Sequence, residues 1–384
     1  MVAPAPTTYA VITGGATSGH VVPALSIIEL LVEAGHPRET LVYVGSDRGV
    51  ETTLVPQTGI TCVFLGVDGL QRGMSLTKVK RNLRMLPTMM RATQLATQVL
   101  VQHRPRVVVS VGGYVSAPIC RAARHLKIPV VTCSYDSKPG MATKMQARYA
   151  ATVAVAHTPS TLRRAQLTGA PVRAELRHLD RGASRAASRM RLGFSADAKL
   201  VVVMGGSLGS AVLNSATESL VAQMESPSLA NVAILHIAGS RYMEGQQLAS
   251  EMRRPDGSMM YQRIAYSSNM SDIYAAADLV VARAGASTVA EIATVGIASV
   301  LVPWKDAAEN HQLTNAKSLS DPGGAVLLEE SKLADDVFVQ LIGDLLGDES
   351  MRLHIANEAR KLGEVHRNCS IAAVVEKAAD GVVR

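Results

Sequence analysis

Twice along this chain a short, apolar, β-branched run stops at a cluster of glycines and passes straight into an amphipathic stretch. The first instance is "YAVITGGATSGHVVPALSIIELL", starting at Tyr9; the second is "KLVVVMGGSLGSAVLNSATESL", starting at Lys199. Strand, tight glycine turn and helix in that order open a βαβ unit, whose next strand must run parallel to the first. The flanking text keeps the alternation. "TLVYVGS", "CVFLGV", "RVVVSVGG" and "IPVVTCS" are strand-like in the first half, and "VAILHIAG", "LVVARAG" and "SVLVPW" in the second. Between the halves, "RAELRHLDRGASRAASRMR" is polar and rich in Arg and Ala. The expected class is therefore α/β, with two Rossmann-like domains of parallel sheet facing a deep cleft. They are placed at 1–172 and 173–364, with a C-terminal helix at about 365–384 free to pack back on the first. In such sheets ligands sit at the carboxyl ends of the strands.

A chain of 384 residues suits two domains, and 47% hydrophobic against 18% charged residues excludes a disordered protein. No apolar segment reaches the roughly 18 residues of a spanning helix, and the N-terminus lacks a basic stretch leading into an apolar one, so a cytoplasmic location is expected. Cys62, Cys120, Cys133 and Cys369 show no CxxC spacing and are expected as reduced core thiols. Neither a metal nor a cofactor is expected.

The net charge of +7 hides an asymmetry. Residues 1–192 hold 24 Lys+Arg and 9 Asp+Glu, a net of +15, and residues 193–384 hold 15 and 23, a net of −8. A basic half expects an anionic partner: nucleic acid, an anionic membrane surface or a phosphorylated substrate.

The glycine turns narrow the choice. A Walker loop needs Lys and Ser/Thr after its last glycine, but Gly19 is followed by His20 and Val21; a dinucleotide fingerprint from Gly14 fails at Ala16. What survives is the physical content, since small residues let backbone amides approach a ligand and a helix N-terminus favours negative charge. A second turn has Gly112 and Gly113, and a third has Gly205, Gly206, Ser207 and Gly209. A fourth, "ARAGASTVAEIA", offers Ser287 and Thr288 as N-caps and Glu291 in the first helical turn. Glu291 is then either an acid placed to suit the helix dipole or a carboxylate that accepts from the vicinal hydroxyls of a ribose.

Four segments in this order, "GGATSGHVVPAL", "SVGGYVSAP", "GGSLGSAVLN" and "ARAGASTVAEIATVGIASVLVPW" followed by "NHQLTNA", resemble the signatures of the MurG family. These are two-domain glycosyltransferases of the B type acting in peptidoglycan synthesis at the cytoplasmic face of the membrane. The resemblance runs from about residue 9 to about 376 and includes connecting text such as "GVETTLVPQTGI". It implies transfer of GlcNAc from UDP-GlcNAc to lipid I, undecaprenyl-pyrophosphoryl-MurNAc-pentapeptide, with inversion at the anomeric carbon.

By that resemblance the second domain holds the donor. Glu291 binds the ribose, Ser207 and the amides of Gly205, Gly206 and Gly209 the diphosphate, and Arg173 the nucleotide from the hinge. Ser267 faces the uracil through backbone groups, and His311 and Gln312 contact the donor sugar with Asn315 in support. Thr17 and Gly19 are added to the donor contacts. The acceptor pyrophosphate falls to Gly14, Gly15, Gly112, Gly113 and Tyr114. His20, at the mouth of an anion-binding turn, takes the proton of the attacking hydroxyl or hydrogen-bonds the sugar; an imidazole pKa near 6.5 suits either role.

The chain departs from the family pattern at three places, six residues in all. Ala16 stands where a third glycine is usual, Leu208 replaces the Gln of "GGSQG", and Cys133, Ser134, Tyr135 and Asp136 stand in place of His-Glu-Gln-Asn. Asp136 either serves as a catalytic base or repels the pyrophosphate unless Lys138 or Lys144 offsets it.

Residues 70–91 carry six basic residues and no acid. Leu76, Val79, Leu83, Leu86 and Met90 recur at helical spacing beside Lys80 and Arg84, so a helix here presents an apolar stripe with basic flanks, with Pro87 expected to kink or end it. Such a surface either packs on its own domain or lies on an anionic membrane. With three Phe, one Trp and no recognition motif, nucleic acid is not the expected partner. The alternatives carried forward are a 2-epimerase-like UDP-sugar enzyme, another lipid-acceptor glycosyltransferase, and a non-catalytic nucleotide-sugar-binding relative.

Overall fold

The computed structural model describes residues 8–66, 76–206, 208–224, 226, 229, 231–243, 250–333 and 336–381, with the backbone alone over 76–87. The chain divides into two compact units, 1–174 with 368–384, and 175–367.

Unit 1 carries seven strands: β1 (Ala10–Thr13), β2 (Leu41–Ser46), β3 (Thr61–Leu65), β4 (Val107–Ser110), β5 (Val130–Ser134), β6 (Thr152–Val155) and β7 (Ala165–Leu167). They form one sheet in the order β3-β2-β1-β4-β5-β6-β7, with every pairing parallel. Helices cover both faces of such a sheet, so its strands are near-continuous Val, Ile and Leu runs; Val11, Val42, Val44 and Val108 pack with Ala96, Leu100 and Ile119 in one cluster. The strand order reverses between β1 and β4, and the turns leaving those two strands are Gly14–Gly19 and Gly112–Gly113. That is the switch point at which doubly wound sheets bind ligands.

The helix Leu76–His103 runs on through Pro87, so of the kink or end expected there the proline does not end it. Ala92, Ala96 and Leu100 are buried at i, i+4 and i+8, whereas Met90 is 65% exposed. Leu76, Val79, Lys80, Leu83 and Arg84 lie on this helix, but their side chains fall outside the described residues. The last helix, Ile371–Asp380, belongs to unit 1. It buries Ile371, Val374 and Val375, and its Glu376 and Asp380 meet His36 at 3.0 Å and Arg106 at 2.8 Å.

Unit 2 repeats the plan with β8 (Lys199–Met204), β9 (Val232–Ile237), β10 (Glu251–Arg253), β11 (Met259–Ile264), β12 (Leu279–Ala282), β13 (Ser299–Leu301) and β14 (Val326–Leu327). Their order is β10-β11-β9-β8-β12-β13-β14, and only the edge strand β10 is antiparallel to its neighbour. The reversal here lies between β8 and β12, which lead into Gly205–Gly209 and Ala284–Gly285.

Candidate functional site

In unit 1 the first turn is held from beneath by two buried side chains. Tyr43, on β2, donates its hydroxyl to the carbonyl of Gly14. Glu51 accepts the N–H of Ala16 through both carboxylate oxygens, at 3.0 and 3.1 Å, and the N–H of Ser46 at 3.2 Å. A Cβ on Gly15 would run into Glu51 Oε1, so the glycine is there because the carboxylate is. Ala16 is bent to φ 76°, a left-handed conformation that is costly for any residue with a Cβ. The helix Ser18–Glu33 then starts without an acid in its first turn and without a side-chain cap from Thr17. His20 and Val21 donate to the Thr17 carbonyl at 3.0 and 3.1 Å, which leaves the amides of Ser18 and Gly19 for water or an anion.

The second turn uses two consecutive left-handed glycines, Gly112 (φ 95°) and Gly113 (φ 76°). The His20 ring lies against it: a Cβ on Gly113 would stand 3.5 Å from His20 Nδ1, and one on Gly112 would stand 3.9 Å from Nε2. Nδ1 is also 3.2 Å from Thr17 Oγ1. Burial lowers the pKa of His20, while the carboxylates of Asp136 and Glu51 and a hydrogen bond with the Gly15 backbone pull the other way. The ring is therefore neutral near pH 7, with a lone pair available to accept a proton. Tyr114 packs half-buried against the core cluster.

Asp136 follows β5 by two residues and His157 follows β6 by two, and Ser134 pairs with Val155 across those strands. The Asp136 carboxylate acts on both His20 and His157, and burial lowers His157 as well. His157 was not anticipated from the sequence. Only its position at the end of "TVAVAH", a strand-like run, signalled it.

In unit 2 the third turn is tight. A Cβ on Gly205 would meet Ser210, and one on Gly209 would collide with the Ala238 carbonyl, whereas Gly206 (φ 84°) faces open space. Ser207 lies outside the described residues, and Leu208 is 54% exposed. Ser210 caps the helix Ala211–Ala222. Behind it, buried His236 bridges Tyr261 at 3.0 Å and Asn214 at 2.9 Å, and Asn214 donates to the Ala238 carbonyl at 3.1 Å. Burial together with the Arg263 charge pushes His236 down to about 4.

The fourth turn corrects two expectations. The N-cap of the helix Ala286–Val295 is Gly285, with Ser287 and Thr288 inside the helix, and Glu291 is its sixth residue, beyond the first turn. With Gly285 extended at φ −66° and ψ 146°, the helix begins two or three residues earlier than the hydroxyl pattern suggests. Glu291 is 9% exposed and accepts from the Tyr274 hydroxyl at 3.0 Å, so it is not simply an acid placed to suit the dipole. Asn315, buried, donates to the Ala284 carbonyl at 3.2 Å. Arg283, which the sequence reading assigned no role, ties this turn to the third: it donates to Ser210 Oγ at 2.8 Å and to Glu330 at 3.1 Å.

Ahead of the helix His311–Ser320, Glu309 and Asn310 are both left-handed (φ 54° and 53°). Strain of this kind persists where the surroundings over-determine a functional geometry. His311 Nδ1 is 2.7 Å from the Ala308 carbonyl, and Gln312 accepts the Trp304 N–H at 3.0 Å. Ser267 accepts the Asn269 N–H at 3.2 Å in a turn after β11. Arg173 is half-buried at the end of unit 1's first segment. Among the described residues no group of three or more His, Cys, Asp or Glu forms a metal-holding cluster.

Residues 10–155 match the glycosyltransferase family 28 N-terminal domain and residues 200–367 its C-terminal domain. The chain is 35% identical over 376 residues to the UDP-N-acetylglucosamine–N-acetylmuramyl-(pentapeptide) pyrophosphoryl-undecaprenol N-acetylglucosamine transferase of Acidothermus cellulolyticus, covering 97% of this chain and 98% of the relative. The protein of the same name from Paenarthrobacter aurescens is 34% identical, with 92% and 91% covered. Among solved structures, MurG of Acinetobacter baumannii superposes with a TM-score of 0.69 at 25% identity, covering 97% of this chain and 100% of that one.

Proposed function

Because the chain belongs to the UDP-N-acetylglucosamine–N-acetylmuramyl-(pentapeptide) pyrophosphoryl-undecaprenol N-acetylglucosamine transferase family, we propose that it moves GlcNAc from UDP-GlcNAc to lipid I, giving lipid II. The observation that carries this reading is the likeness to such a transferase across 97% of the chain. The turns at both switch points supply the chemistry it needs.

Unit 2 takes the donor. The amides of Gly205, Gly206 and Gly209, with Ser207, receive the diphosphate at a helix N-terminus; Glu291 receives the ribose hydroxyls; His311 and Gln312 receive the sugar, with Arg173 and Ser267 on the nucleotide. Open space at Gly206 and the buried carboxylate held by Tyr274 support these roles. Unit 1 takes the acceptor, whose pyrophosphate lies along the turns of Gly14, Gly15, Gly112 and Gly113 beside Tyr114, while Thr17 and Gly19 of the first turn reach the donor. The MurNAc hydroxyl attacks the anomeric carbon as UDP leaves, and neutral His20 takes the hydroxyl proton. The Asp136 carboxylate favours the positive charge that develops on that imidazole.

Among the described residues no helix is long and apolar enough to cross a membrane. A lipid-borne acceptor is reached from the surface: the basic first half and the helix Leu76–His103, with Met90 exposed at the end of its apolar stripe, favour docking on an anionic leaflet. The replaced segment at 133–136 favours one second reading, transfer to a different lipid-linked acceptor.

The test is a GlcNAc-transfer assay with UDP-GlcNAc and a lipid I analogue. His20→Ala is expected to lower kcat by about 10²- to 10⁴-fold with donor binding kept, and Glu291→Ala to raise the KM for UDP-GlcNAc. The wild-type acid limb should lie below pH 6.5, because burial lowers His20. Donor binding without conversion of lipid I would sink the acceptor assignment.

A further inference from the structure

Beneath Gly112 and Gly113 lies a closed hydrogen-bond circuit that the donor and acceptor roles above do not use. Gln146, 2% exposed on the short helix Met141–Gln146, accepts from Ser110 Oγ at 2.7 Å and donates from Nε2 to Ser116 Oγ at 2.8 Å. Ser110 Oγ accepts the Gly112 N–H at 3.3 Å, and Ser116 Oγ donates to the Gly113 carbonyl at 2.9 Å. Both serines are fully buried. One carboxamide thus spans the entry and the exit of the turn, and each of its two ends meets a hydroxyl that holds one glycine.

The circuit fixes two backbone groups of the turn. Gly112 N–H is occupied, and Gly113 C=O is drawn inward. The face of Gly113 where a Cβ would stand 3.5 Å from His20 Nδ1 is left open to a ligand. The same helix brings Thr143 Oγ1 within 3.3 Å of where a Cβ on Gly112 would stand, closing the turn from above. Two successive left-handed glycines have many alternative conformations. A buried clamp restricts them to the one seen here, with φ 95° at Gly112 and 76° at Gly113 against the His20 ring.

We propose that Gln146 is a positioning residue for the pyrophosphate of the acceptor, acting through Ser110 and Ser116 on the Gly112–Gly113 turn. The proposal rests on the acceptor site assigned to unit 1 above.

Gln146→Glu is the informative variant, because it keeps the volume while replacing the amide donor with an acceptor. Ser116 has one hydroxyl proton, so it can then serve the carboxylate or the Gly113 carbonyl, but not both. The expected result is a rise of about tenfold in KM for the lipid I analogue, with the KM for UDP-GlcNAc within twofold of wild type. Ser116→Ala should behave alike, and the double variant should be little worse than either single one, as for groups acting through one contact. Amide hydrogen exchange of the segment 107–120 should quicken in all three while that of unit 2 stays unchanged.

A wild-type acceptor KM in Gln146→Glu and Ser116→Ala, or an equal loss on donor and acceptor sides, overturns the proposal. Should wild-type protein convert no lipid I analogue, the acceptor reading fails on its own account. The exchange data then still report on the clamp, and unchanged protection at 107–120 in the variants would refute it.

Discussion

At the scale of single residues, the first turn shows a conflict between backbone and side chain. Ala16 sits at φ 76° because Glu51 grips its N–H with both oxygens, so the peptide cannot rotate away. A left-handed conformation costs a non-glycine residue about 1–2 kcal/mol, and a glycine there frees unfolded-chain entropy worth about 0.4–1 kcal/mol in the opposite sense. Ala16→Gly is therefore expected to stabilise unit 1 by about 0.5–1 kcal/mol, seen as a raised urea midpoint at unchanged slope. A lower midpoint would mean that the methyl makes a contact outweighing the strain. The absence of the family's third glycine was legible in the sequence. That Glu51 imposes the strain was not, because it lies 35 residues away and meets the turn only through the sheet.

At the scale of elements, each switch-point turn rests on a polar side chain from a neighbouring element: Tyr43 and Glu51, Gln146, the His236–Asn214 pair, and Arg283. His236 gives a pH test. Its folded pKa of about 4 lies below the roughly 6.5 of the unfolded chain, so between those values only the unfolded state binds the proton. Its contribution is intact above pH 6.5 and is lost as pH falls towards 4, by about 3 kcal/mol at most. The stability gap between wild type and His236→Gln should narrow across that window in urea titrations; a gap constant with pH would show that His236 is charged in the fold. Sequence reading found the strands with long Val and Ile runs. It passed over β6, β7, β10, β11 and β14. Of these β7 and β10 are three-residue edge strands, largely exposed and without a β-branched residue, and β11 alternates buried and half-buried positions along "MMYQRI".

At the scale of the molecule, the two units are interlaced in sequence: the chain completes unit 1, builds unit 2 and returns at 368 to finish unit 1. Ile371, Val374 and Val375 are buried there, each worth about 1.5–3 kcal/mol, together comparable to the whole stability of a domain. A chain ending at Arg367 should therefore lose unit 1, with protease-sensitive cleavage over 8–174, while 175–367 remains protected. Equal protection of both units would show that the helix is dispensable.

The class of fold, the family and the four glycine turns can all be read from the chain alone. Those depend on local alternation and on glycine's conformational reach, which act over a few residues. It took the folded arrangement to show which groups of those turns are engaged, that Glu291 is buried against Tyr274, that Gly285 rather than a hydroxyl begins its helix, and that His20 is held neutral against Gly112 and Gly113. Each of these is set by side chains tens of residues away, brought together by parallel strand order, and no pattern within a window of the chain encodes it.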